Sequence, residues 1–97
     1  MAETNLRITE VIEICCVDED FLLRLEQESL ITPIMQDSQK LYPLEQVDRI
    51  RVARLLIKDM GLNFEGAEVA LHMREQMIAM QRQFNELLRL LGHKLKK

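Results

Sequence analysis

Ninety-seven residues, 47% hydrophobic and 30% charged, suffice for one compact domain whose modest core gains from oligomerisation. No apolar run approaches the roughly 18 residues of a membrane span, and no basic segment leads into an apolar stretch as in a signal peptide, so a cytoplasmic protein is expected. The formal net charge of −3 is unevenly spread: residues 1–30 carry eight Asp and Glu against two Arg, a net of −6, and the remainder nets +3.

In chain order, Leu6 and Ile8 read as a short extended entry, followed by a helix that Thr9 caps and that ends near Cys15. Cys15 and Cys16 are adjacent, too strained a pair for a disulfide and without CxxC spacing for a metal, so they are expected to pack as small residues in that helix. Val17 turns the chain. Asp18 then caps a second helix to about Glu28, with Phe21, Leu22 and Leu25 on a core-facing stripe. Two short helices joined this tightly predict a helix-turn-helix.

Thr32-Pro33-Ile34-Met35 reads as an edge strand, because Pro33 cannot donate to a ladder from a central one. Gln36 to Lys40 form the turn and Leu41-Tyr42 the return strand, giving a small β-hairpin in the position of a wing. Pro43 opens a third helix where its missing N–H costs nothing. Val47, Ile50, Ala53, Ile57 and Met60 recur every three or four residues, predicting one buried face from Leu44 to Met60, and Gly61 stops the helix. Arg49, Arg51, Arg54 and Lys58 decorate it, either as a solvated face or as a phosphate-binding patch.

Asn63 caps a long fourth helix from Phe64 towards Leu91, with Gly92 and the basic tail 93–97 expected to fray. Ala70, Met73, Met77, Met80, Phe84, Leu87 and Leu91 alternate at spacings of three and four, as coiled-coil a and d positions do. The stripe predicts helix pairing in a homodimer through Met73, Met77, Met80, Phe84, Leu87 and Leu91. The expected division is a winged core over 1–62, a long helix over 63–92 that completes the domain and pairs, and a basic tail over 93–97. His72 and His93 have no ligand-spaced companions, and no nucleophile–base set or glycine-rich phosphate loop occurs. No enzyme, cofactor or metal is therefore expected.

From Ile8 to Leu71 the succession helix, turn, helix, Leu30-Ile31-x-Pro33, hairpin with Lys40-Leu41-Tyr42, helix, Gly61-Leu62-x-Phe64-Glu65, helix resembles the MerR-type winged helix. Within that superfamily the chain is most similar to the chaperone-modulator proteins of the CbpM family, which are about this long and lack an effector domain. The resemblance implies a mainly α fold, a MerR-like winged helix-turn-helix with a β-hairpin wing and a long C-terminal coiled-coil helix. It also implies binding to the J-domain of a DnaJ-like co-chaperone of the CbpA type, restraining that protein's work with a DnaK-type chaperone.

DNA-binding members usually place serine, proline and basic residues, then an arginine-tyrosine-tyrosine group, across the second helix. Here the stretch is Asp18-Glu19-Asp20-Phe21-Leu22-Leu23-Arg24-Leu25-Glu26. Duplex DNA carries one negative charge per roughly 1.7 Å, so carboxylates opening a reading helix are repelled. J-domains present a basic helix, so Glu10, Glu13, Asp18, Glu19 and Asp20 are the expected contact surface, with Phe21 or Leu23 as an apolar anchor. The bland alternative for each acid is capping or the helix N-terminal preference for negative charge. The competing function is transcriptional, with the second helix in the major groove and Lys40, Arg49, Arg51 and Arg54 on phosphates. Lys40 stands where the wing usually has arginine, and lacks that residue's bidentate fork.

Overall fold

The computed structural model describes residues 4–95. Its elements run β1 (Asn5–Arg7), α1 (Ile8–Cys15), α2 (Glu19–Gln27), β2 (Ile34–Gln36), β3 (Gln39–Pro43), α3 (Leu44–Arg54), a π-turn over Leu55–Asp59, and α4 (Phe64–Leu95). The fold is mainly α with a small antiparallel sheet, as the sequence predicts.

The helix-turn-helix forms because its two halves are closed by complementary local bonds. The first cap differs from expectation: Arg7, not Thr9, stands at the N-cap of α1, and Glu10 Oε1 accepts from the Arg7 backbone N–H at 2.8 Å. That is the reciprocal half of a capping box, and it places Ile8 in the helix rather than in the strand. Cys16 closes α1 in the left-handed conformation (φ 57, ψ 46), so only Cys15 of the pair packs inside, and Cys16 is exposed. Asp18 caps α2 as predicted, its Oδ1 accepting from Phe21 N–H at 2.8 Å.

The sheet has three strands in the order β1-β3-β2, with Leu6 opposite Tyr42 and Ile34 opposite Leu41. Pairing on β2 starts after Pro33, which has no N–H to give, so the strand lies later than the expected Thr32–Met35. It also runs further into the hairpin, leaving only Asp37 and Ser38 as the loop. Both have positive φ, 52 and 63, as a two-residue type I′ turn requires.

Val47, Ile50 and Ala53 bury one face of α3 against Val11, Leu25, Leu30 and Tyr42 in a single core that also takes Ala67 and Leu71 of α4. The regular repeat then breaks. Met60 N–H returns to the Leu55 carbonyl at 3.0 Å, an i+5 closure that shifts the helical phase. Ile57 therefore stays partly buried, but Met60 is 63% exposed rather than on the buried face. Gly61, at φ +80, lets Leu62 N–H reach back to the Leu56 carbonyl at 2.9 Å. Asn63 Oδ1 accepts from Gly66 N–H at 2.7 Å, capping α4 as expected. The helix continues past Leu91 and through Gly92 to Leu95, further than predicted; Lys96 and Lys97 lie outside the described residues.

Candidate protein-interaction surface on the second helix

Asp18, Glu19 and Asp20 are all exposed at the N-terminus of α2. Asp18 has a local duty in its cap, whereas Glu19 and Asp20 lie in the first turn, where the helix dipole favours negative charge. Glu26 extends this charge along the same helix towards the wing: its Oε1 meets Lys40 Nζ at 2.7 Å, with both side chains about one-third exposed. The hydrogen bond to Glu26 is the main reason the Lys40 ammonium is held above its usual pKa, and the charge of Glu19 adds to it. Glu19, Glu26 and the wing lysine thus form one electrostatic unit. Burial pushes the Tyr42 hydroxyl up beside it, against the opposing influence of Lys40.

Glu10 and Glu13 are exposed on α1, and Glu10 is engaged by the cap at Arg7. Phe21 takes the core-facing place that its stripe predicts and so departs from the expected contact role. It is only 6% exposed, its ring centroid lies 5.9 Å from that of Phe64, and Lys58 Nζ sits 5.0 Å from it. Arg24 covers the Phe64 ring at 4.4 Å. These contacts fix α2 against the start of α4 and remove Phe21 from any partner surface. Leu23, two positions on, is 38% exposed and is the apolar side chain that α2 offers outward.

The residues expected to touch phosphate are mostly committed inside the molecule. Lys40 is paired with Glu26. Arg49 Nε donates to the Leu30 carbonyl at 2.8 Å, and its Nη1 pairs with Glu75. Arg54 Nε donates to the Cys16 carbonyl at 3.1 Å, bracing α3 against the turn of the helix-turn-helix. Arg51 is exposed and, among the described residues, has no protein acceptor. A periodic reading of charge misses these pairings because every acceptor except Glu26 and Glu75 is a backbone carbonyl, which has no mark in the sequence.

Along α4, Met73, Met77, Met80, Phe84, Leu87 and Leu91 are between 47% and 67% exposed. No helix among the described residues is long and apolar enough to cross a membrane, and no group of three potential metal ligands occurs among them. Burial pushes the Cys15 thiol up from its ordinary value, against the lowering influence of Arg51.

A helix-turn-helix braced by a three-stranded sheet, with a hairpin beside its second helix and a long helix leaving the domain, defines a winged helix-turn-helix fold. The family model described as MerR HTH family regulatory protein matches residues 6–89, and the chain belongs to that family. Comparison with curated proteins gives no significant match.

Proposed function

We propose that this MerR-family domain is a protein-binding modulator that engages the J-domain of a DnaJ-like co-chaperone of the CbpA type and restrains its action with a DnaK-type chaperone. The observation that carries the reading is the chemistry of α2. Where a DNA-reading helix needs cations, it exposes Asp18, Glu19 and Asp20, and its Glu26 occupies the wing lysine. A basic helix on the partner is the complement of that edge. Opposite charge steers the encounter, and Leu23 supplies an apolar contact at its centre. The choice of a J-domain rests on the resemblance to chaperone modulators. In this reading the protein acts in the cytoplasm without catalysis, and the exposed stripe of α4 pairs two copies.

Titration of the full chain with an isolated J-domain from the same cell tests the proposal: a saturable complex is expected, and absence of binding at low salt would contradict it.

A DNA-binding regulator is the second reading, favoured by the family's regulatory description and by the exposed guanidinium of Arg51. It requires a salt-sensitive shift of a promoter duplex that Arg51→Ala weakens.

A further inference from the structure

Between the end of α1 and the middle of α3 lies a groove of about 410 Å³ with a different character from the acidic edge. Its walls are two large aliphatic side chains left in water, Ile14 at 57% exposure and Leu55 at 48%, with Val52 partly buried between them. Arg51 and Arg54 stand on its rim, one helical turn apart on α3. Arg54 uses its Nε on the Cys16 carbonyl, which fixes the guanidinium over the groove and leaves the other nitrogens for a ligand. The carboxylate at the groove's far end, Asp48, is neutralised by Arg74 at 3.0 Å. The rim is therefore net positive above an apolar floor.

We propose that this groove is a second docking site, for an acidic amphipathic helix of a protein partner. The occupant is set by complementarity: aliphatic side chains one turn apart on the partner cover Ile14 and Leu55, and flanking carboxylates reach Arg51 and Arg54. The planar fork of each arginine takes both oxygens of one carboxylate, which gives orientation as well as attraction. The volume lies within the range of small recognition clefts, enough for side chains but not for a whole helix, so the partner lies across the groove and inserts only its apolar face. The surface is built from the end of α1, from α3 and from the start of the π-turn and uses none of the acids of α2, so a protein bound at one face leaves the other chemically free.

The test uses the full chain and a fluorescein-labelled, N-acetylated helical peptide with leucines at i and i+4 flanked by glutamates, against the same peptide with lysines replacing the glutamates. Fluorescence anisotropy should show saturable binding of the acidic peptide alone. Arg51→Glu and, separately, Ile14→Asp should each weaken it by about tenfold or more, as loss of a central contact does. Both residues are exposed, and a circular dichroism melt at the wild-type midpoint establishes that the variants fold. Glu19→Lys with Asp20→Lys should leave peptide binding intact, which separates failure here from failure of the J-domain reading. Equal binding of the two peptides, no binding of either, or indifference to both groove variants would overturn the assignment. So would a DNA duplex that binds in an Arg51-dependent manner and displaces the peptide, since the rim would then be a phosphate site.

Discussion

Lys40 of the wing and Glu26 of α2 are joined by a 2.7 Å ion pair, so the hairpin is tied to the very helix whose acids it would have to offset in order to approach DNA. The tie has a pH signature. Lys40 is held above its ordinary value of 10.5 by Glu26, so its contribution to stability is complete below that value and is lost as pH rises through the higher folded value. Being partly solvated, the pair contributes only about 0.2–1 kcal/mol. Urea denaturation at neutral pH and above pH 10.5 should therefore show a small alkaline loss in the wild type that Glu26→Gln reduces.

Phe21 and Leu23 separate folding from recognition. Phe21→Ala should lower stability by about 3–5 kcal/mol, because it empties a core position packed on Phe64. Leu23→Ala should change stability by no more than about 0.5 kcal/mol while weakening the J-domain complex. Chemical denaturation and titration of the two variants check both halves.

Asp18 allows its cap to be distinguished from its charge. Asp18→Ala removes the bond to Phe21 N–H and should cost about 0.5–2 kcal/mol, whereas Asp18→Asn keeps an accepting oxygen and should melt close to the wild type. If Asp18 also belongs to the contact edge, Asp18→Asn should weaken partner binding with no matching loss in thermal midpoint.

Met77 and Met80 are 67% and 66% exposed on one face of α4, so glutamate at both positions leaves the winged core untouched. Each side chain buried in a helix pair contributes about 1.5–3 kcal/mol. Sedimentation equilibrium should show a dimer for the wild type and a monomer for Met77→Glu with Met80→Glu; a wild-type monomer at all concentrations would remove the pairing.

Local chemistry makes much of this fold legible in the sequence: the caps at Asp18 and Asn63, the stop at Gly61, and the burial of Phe21, Leu22, Leu25, Val47, Ile50 and Ala53 follow from side-chain type and spacing. What escaped depends on distant partners. The extended entry expected at Leu6 is present in Asn5–Arg7, but that it pairs as a third strand depends on β3 lying beside it. Met60 broke the helical repeat because the π-turn shifted its phase. At the candidate surface the acids of α2 are evident, but Phe21 fits both the core stripe and an anchor, and the packing of Phe64 decides for the core. The partners of Arg49 and Arg54 were hidden for a related reason: carbonyls at Leu30 and Cys16 become acceptors through the fold alone.

If the edge of α2 recognises a basic protein helix, as proposed, reversing its charge must weaken the complex. The decisive measurement is calorimetric titration of the wild type and of Glu19→Lys with Asp20→Lys against the isolated J-domain, at low and high salt. The wild type should form a salt-sensitive complex, and the reversed variant should lose about tenfold or more in affinity. Unchanged affinity on charge reversal, or no J-domain complex beside tight binding of a promoter duplex, would contradict the proposal.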